Sequence, residues 1–421
     1  MYSENGWLDK YLKNRELYIA ETPKELKVKE HVSSDDELLF YEIVQPTGFI
    51  YGYPLSLPEI NSEKLKNLDS EALTKLSLTE TMILCAKLFD NQSNNEKQVI
   101  ENIISFYKFL YPEFKGNFFV NLFRPKKNRT KKAENFIEKQ LTLRTSIDNF
   151  WASFFLNSLL FLDIIYFSIW LQDKNLKNNV EIKKQREDVF MILLQIISIA
   201  INADNRLEDR EIQFYNLLLK SSKLSKENYE IAKEYLHYPP KLANVNLSFI
   251  SSWLLKKYIL EMAIIAVWAD KDVEGFELKF LRELAHKLDL SQDELNESMM
   301  AVEIFVLNNW QSVPYLQGKK SYEVVSNKFI DGFKRSIEAN KQKLSKEFSE
   351  SKELLALIKK STETELSEAE SELVKKQILD ILKTVPMFVI FVLPGSFITL
   401  PLLFKIVPKN ILYPSAYMPE E

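Results

Sequence analysis

The sequence predicts an all-α protein, a multi-helix bundle with a proline-kinked C-terminal helix, and three observations predict it. Glycine occurs only 8 times in 421 residues, while Leu, Ile, Lys and Glu are abundant, so the chain has few backbone breakers and many helix formers. Apolar residues recur at helical spacing through most of the chain. A stretch in the middle repeats itself over the length of a helix–turn–helix unit. Hydrophobic content of 46% and charged content of 27% suit globular segments, and 421 residues can hold two to four domains. The single cysteine, Cys85, excludes an intramolecular disulfide and a thiolate zinc site. A net charge of −4 gives no reason to expect a nucleic-acid partner. Met1–Lys10 carries charges and no apolar run, so no signal peptide is expected there.

Five segments are expected: a helical region at 1–145, a hydrophobic helix and linker at 146–184, a duplicated helical domain at 185–310, a charged helical linker at 311–375, and a membrane segment at 376–421. In the first, Leu38–Val44 and Gly48–Tyr53, joined by Gln-Pro-Thr, form the only strand-like stretch. A short hairpin fits it, and so does a helical segment with an irregular aromatic loop. Leu78, Met82, Cys85 and Phe89 then share one face of a helix, and Val99, Ile103, Phe106 and Leu110 repeat the spacing in the next. Both stripes are core. The stretch Arg124–Lys132 holds six basic residues in nine. It reads as a solvated linker or as a contact for anionic lipid heads; nucleic acid is the weakest reading.

Asn149–Trp170 is a hydrophobic block with Trp151 and Trp170 near its ends, as in spanning helices. Asp163 sits near its middle, where a carboxylate costs about 2.5–3.5 kcal/mol on insertion scales. The block is therefore either a buried or membrane-facing helix or a true span. In a span, Asp163 is the intramembrane acid that relays ions or protons.

The central repeat is ungapped. Ile199–Phe214 and Ile265–Phe280 align at an offset of 66, and the agreement extends over about 27 positions to Ser225/Ser291. Each copy reads as an apolar helix, an acidic turn, an amphipathic helix, and a third helix opening at Leu-Ser. The pattern Ala-Asp-x-x-[Leu/Val]-Glu-x-x-Glu after an apolar helix, present twice, resembles the tellurite-resistance TerB fold over roughly Gln185–Asn308. The resemblance implies an all-α bundle of two pseudo-repeated halves whose acids bind divalent cations. On that reading Asp204, Glu208 and Glu211 face Asp270, Asp272, Glu274 and Glu277 in the oxygen-rich shell that Ca²⁺ or Mg²⁺ prefers. Helix capping accounts for the same acids with one helix at a time.

Gly332–Lys376 is charged with mixed signs and has the spacing of two amphipathic helices with a break near Ser361–Thr364. After it, twenty-one uncharged residues separate Lys383 from Lys405, punctuated by Pro386, Pro394 and Pro401. A spanning helix needs about 20 such residues. The segment Asp380–Tyr417 resembles the membrane motif of the LETM family, the leucine-zipper and EF-hand-containing transmembrane proteins. The matching positions are Asp380, Lys383, Val385, Pro386, Pro394, Pro401, Pro408, Asn410, Leu412, Pro414, Ser415 and Tyr417. A TerB-like middle with a LETM-like tail is similar to a bacterial group of LETM-related biofilm-associated proteins. The resemblance implies a bacterial inner-membrane protein, and Lys375, Lys376 and Lys383 before the segment, against Lys405 and Lys409 after it, favour its bulk in the cytoplasm. Membrane lipid, a second copy of the chain or another membrane protein would be its partners.

No His-Glu-x-x-His, Gly-x-Ser-x-Gly or glycine-rich phosphate loop occurs, and His31, His237 and His286 lack ligand spacing. The expectation is thus a non-enzymatic, membrane-associated protein that senses or buffers divalent cations in envelope or ion homeostasis. The alternatives are a cation/proton transporter subunit, and an interaction scaffold whose acidic turns only cap helices.

Overall fold

The structure, a computed structural model, describes residues 5–17, 36–58, 60, 68–90, 96–111, 129–142, 150–172, 179–202, 207, 209–222, 224–270, 275–308, 330, 333–334, 337–338, 340–382, 403–404, 407 and 411. The all-α class is observed: every extended element among the described residues is an α- or 3-10 helix. The chain divides into two compact units, Met1–Leu290 and Ser291–Glu421.

The first unit contains α1 (Trp7–Asn14), α2 (Asp36–Val44), α3 (Ser70–Phe89), α4 (Glu96–Leu110), α5 (Arg129–Thr142), α6 (Phe150–Gln172), α7 (Asn179–Ile201), α8 (Asp209–Ser221), α9 (Lys226–Glu234), α10 (Trp253–Asp270) and α11 (Gly275–Lys287). Helix α6 is its hub, packing against α3, α4, α7, α8, α10 and a 3-10 turn at Phe49–Tyr51. Leu160, Phe161, Leu162, Ile164, Ile165 and Phe167 are all fully buried. A helix apolar on every side is stable in water only where every side meets apolar surface, each such side chain contributing about 1.5–3 kcal/mol. Helix α3 is the largest of these neighbours. Its start is fixed by Asp69, whose carboxylate accepts from the Ala72 N–H at 2.7 Å. Cys85 lies on its buried face, and burial pushes the thiol well above its ordinary range.

The hairpin option for Leu38–Tyr53 is not taken. Asp36–Val44 is helix α2, followed by 3-10 turns at Gln45–Thr47 and Phe49–Tyr51. Phe40, Tyr41 and Val44 are buried together, at i, i+1 and i+4; a strand would send Phe40 and Tyr41 to opposite faces. Gly48 and Gly52 end the two turns at φ 75° and 73°, a left-handed conformation that glycine adopts without strain.

The expected membrane address, a transmembrane helix in a bacterial inner membrane, is corrected. Among the described residues no helix is long and apolar enough to cross a membrane. From Leu159 to Phe167 the α6 side chains are covered by protein. In the tail, Leu403, Val407 and Ile411 are buried at 0%, 1% and 0% exposure. Apolar length does not by itself separate a spanning helix from the centre of a large bundle. Most of Thr384–Phe404 lies outside the described residues, as do Lys383, Pro386, Pro394, Pro401, Pro408, Asn410 and Pro414.

The second unit contains α12 (Gln292–Asn308), α13 (Lys341–Glu350), α14 (Lys352–Glu363) and α15 (Glu368–Leu382). The last three pack on one another through Leu344, Phe348, Leu354, Ile358, Val374 and Ile378, all fully buried. The expected break between amphipathic helices falls at 364–367, and Asp380 is half-buried near the end of α15.

Candidate functional site

The two copies of the repeat carry their helices at matching positions. Helix α8 runs Asp209–Ser221 and α11 runs Gly275–Lys287, so both ends stand 66 residues apart. Helices α9 and α12 begin at Lys226 and Gln292, the same offset. Each acidic turn thus joins the end of an apolar helix to the start of an amphipathic one. Asp270 is the last residue of α10, Glu211 the third of α8, and Glu277 a half-buried member of the first turn of α11. Asp204, Glu208, Asp272 and Glu274 lie outside the described residues. Among the described residues no three metal-ligating side chains converge.

The third helix of each copy opens on a serine cap, built in two ways. Ser291 Oγ accepts from the Glu294 N–H at 3.2 Å, while the Glu294 carboxylate accepts from the Ser291 N–H at 2.7 Å. This is a reciprocal capping box within one turn. Ser225 Oγ likewise accepts from the Asn228 N–H at 3.3 Å, but the carboxylate comes from a different helix. Glu187 of α7 accepts from the Ser225 N–H at 2.8 Å and from the Asn228 amide at 2.9 Å. Burial pushes the Glu187 carboxyl up, and these hydrogen bonds more than reverse it, holding it below its ordinary range.

Asp163 is fully buried in α6 and ion-paired. Arg186 of α7 donates to its Oδ1 from Nε at 3.2 Å and from Nη2 at 2.8 Å, and Nη2 also donates to the Tyr111 hydroxyl at 3.1 Å. The Phe190 ring lies 4.8 Å from the guanidinium. Burial pulls the Arg186 guanidinium down, but Tyr111 and Asp163 more than offset it, leaving it more basic than usual.

A second buried group has no counterpart among the residues expected from the sequence. Lys257 and Glu261, one turn apart on α10, are both fully buried. The Tyr41 hydroxyl of α2 donates to Glu261, and Lys257 Nζ lies 5.2 Å from the Tyr41 ring and 5.7 Å from the Trp253 ring. The nearby Tyr51 hydroxyl accepts from Gln45 at 2.8 Å. Burial first, and the Glu261 charge second, push Tyr51 well above its ordinary range. A lysine and a glutamate interrupting an apolar run were the available signal.

Three more acids, Glu80 and Glu134 buried and Glu37 half-buried, also tie distant segments together. Glu80 of α3 accepts from Arg15 in two bonds of 2.7 Å and from Tyr11 at 2.8 Å. Glu134 of α5 accepts from the backbone N–H groups of Gly6 and Leu8 at the start of α1. Glu37 accepts from Ser252 and from the Leu254 N–H at the start of α10. These carboxylates are engaged as hydrogen-bond acceptors within the fold, which is the work of clasps and caps. Comparison with family models, curated proteins and solved structures finds no match to this chain.

Proposed function

We propose that 185–310 is a TerB-like duplicated helical module, non-enzymatic, whose two acidic turns take a divalent cation, Ca²⁺ or Mg²⁺, in ion homeostasis. The observation that carries the reading is the offset of 66 shared by helix ends and serine caps in both copies. In sequence the same offset pairs Asp204 with Asp270, Glu208 with Glu274, and Glu211 with Glu277, and doubling an oxygen-rich turn is how six to eight ligands are gathered for a hard cation. Its protein partner is a second copy of the chain or another protein.

The test is calorimetry and thermal unfolding of the full chain with Ca²⁺ and with Mg²⁺. Saturable binding is expected, lost in the D204N/D270N double variant and retained in D293N, whose carboxylate belongs to α12 alone. Neither heat nor a thermal shift at millimolar Ca²⁺ and Mg²⁺ overturns the reading. A second reading, an interaction scaffold with acidic turns that only cap helices, draws on Glu294 and Glu370. Both carboxylates accept from the N–H and the hydroxyl of the serine three residues before them.

A further inference from the structure

Between α9 and α10, from Tyr235 to Ser252, the chain makes a 3-10 turn at Leu242–Asn244 and no α-helix. The side chains of Leu242 and Val245 are buried, which anchors the backbone of this turn. The Asn244 N–H donates to the Lys241 carbonyl at 2.9 Å, and the Val245 N–H to the Leu242 carbonyl at 3.1 Å. So anchored, Leu242–Val245 points three carbonyl oxygens at one place. Lys287, the last residue of α11, puts its Nζ there. It donates to the carbonyls of Leu242 at 2.8 Å, Ala243 at 2.9 Å and Val245 at 2.9 Å.

An ammonium has three donors and no acceptor, so this one contact engages all of its hydrogen-bonding capacity. The distances are those of charge-assisted hydrogen bonds. All three acceptors are neutral, and the acid two residues on, Asp289, is paired with Lys256 at 3.2 Å. The charge is therefore held by converging carbonyl dipoles. Rings of backbone carbonyls replace the hydration shell of K⁺ by the same means. Size decides which free ions share that preference. Ca²⁺ takes oxygens at about 2.3–2.6 Å and Mg²⁺ at about 2.0–2.1 Å, both closer than this turn presents them. In the first copy the position 66 residues earlier is Ser221, which carries no charge, so the arrangement belongs to the second copy alone.

We propose that the Leu242–Val245 turn is a site for a monovalent cation of the size of K⁺ or NH₄⁺, with the Lys287 ammonium as its resident ion. Lys287 is then a tethered cation. It fastens the segment that joins the two copies to the end of α11, and it keeps the site closed to ions from solution. Tethering gives the ammonium a high local concentration, so the unsubstituted chain does not respond to K⁺. Lys287 is half-exposed and Ala243 exposed, so the site lies at the surface. A free ion can enter once the side chain is removed, with water completing its shell. The acidic turns take no part in the site.

The experiment compares the full chain with its K287A variant by thermal unfolding in KCl, NH₄Cl and choline chloride at one ionic strength. In choline chloride, K287A is expected to unfold about 2–4 °C below the unsubstituted chain. KCl and NH₄Cl should recover much of that loss in a saturable way. In NMR they should also move the carbonyl carbons of Leu242, Ala243 and Val245 in K287A, and leave those of the unsubstituted chain in place. K241A, which removes a neighbouring exposed lysine, should show no preference among the three salts. Adding D204N/D270N to K287A should leave the response to K⁺ intact, which separates this site from the acidic turns. A further measurement needs no variant: in the unsubstituted chain the Lys287 ammonium protons should exchange more slowly than those of Lys241. A K287A chain that behaves alike in KCl and choline chloride overturns the proposal. So does a stronger response to Ca²⁺ than to K⁺ in K287A/D204N/D270N, or Lys287 protons that exchange as fast as those of Lys241.

Discussion

The two copies of the central repeat share helix boundaries and differ in what their central helices hold. At one matched position α7 carries Gln195 and α10 carries Glu261, and each meets a tyrosine hydroxyl: Gln195 donates to Tyr235 at 2.9 Å, and Glu261 accepts from Tyr41. One turn earlier, α7 has Met191 where α10 has the buried Lys257. The partner of Gln195 comes from its own copy, on the chain just after α9. The partner of Glu261 comes from α2, some 220 residues earlier in the chain. Helix boundaries thus match at the offset of 66 while the polar contacts differ. Helix α10 is joined to α2 through Glu261 and Glu37, and α7 holds α6 through Arg186.

The comparison breaks most directly at its buried charges. Arg186→Met should cost about 3–5 kcal/mol, and adding Asp163→Leu should restore most of it, because no unpaired charge is then left inside. A double variant no better than R186M would show that the pair contributes more than charge balance. Removing the Glu261 carboxylate in E261A takes the charged acceptor from the buried Tyr41 hydroxyl and should cost up to about 3 kcal/mol in urea unfolding, whereas Q195A should cost only about 0.5–1.5 kcal/mol. Equal losses would mean that the two positions still do the same job.

The caps sharpen the comparison on a smaller scale. Ser225→Ala and Ser291→Ala should each cost about 1 kcal/mol. Glu187→Gln should destabilise the whole first copy, whereas Glu294→Gln should fray only the start of α12 in hydrogen exchange. Because the folded Glu187 carboxyl is held below its ordinary range, its contribution is present above the unfolded value and is lost as pH falls through the folded one. The smallest effect belongs to the half-exposed Glu370, in the same kind of box as Glu294. Bonds from Lys360 and from Ser367 hold it at about 2 against an ordinary 4.5. Its contribution is thus full above about 4.5 and disappears as pH falls toward about 2. Carboxyl titration by NMR reads this directly, and Lys360→Ala should move the midpoint upward.

Helical class, the packed stripe through Met82 and Cys85, and the offset of 66 were legible because each is a local or periodic property. The segment from Leu38 to Tyr53 was not, since its aromatic and β-branched residues favour strands while burial against α3 and α10 favours a helix. Helix α6 was ambiguous for a similar reason: its composition suits lipid and protein interior alike, and what surrounds it comes from helices up to a hundred residues away. Asp163 carried a true signal of importance, but its partner was not visible in it. Arg186 lies 23 residues on, across a helix boundary that periodicity does not cross. Of the candidate cation site, Asp270, Glu211 and Glu277 are placed on their helices, and the doubled acidic pattern that suggested it is itself a sequence property.

The Asp163–Arg186 contact has a consequence for how the chain finds its structure. Helix α6 is almost wholly apolar, and α7 is mostly apolar from Val189 to Ile201, after a charged first half that holds Arg186. Greasy cylinders of this kind can slide past one another by a turn, about 5.4 Å, and lose little hydrophobic contact. A slip of that size would part the guanidinium from its carboxylate and leave both ions dry and alone. The pair therefore acts as a detent: it makes one alignment of the two cylinders far cheaper than the next, giving an otherwise featureless interior a single address for each residue.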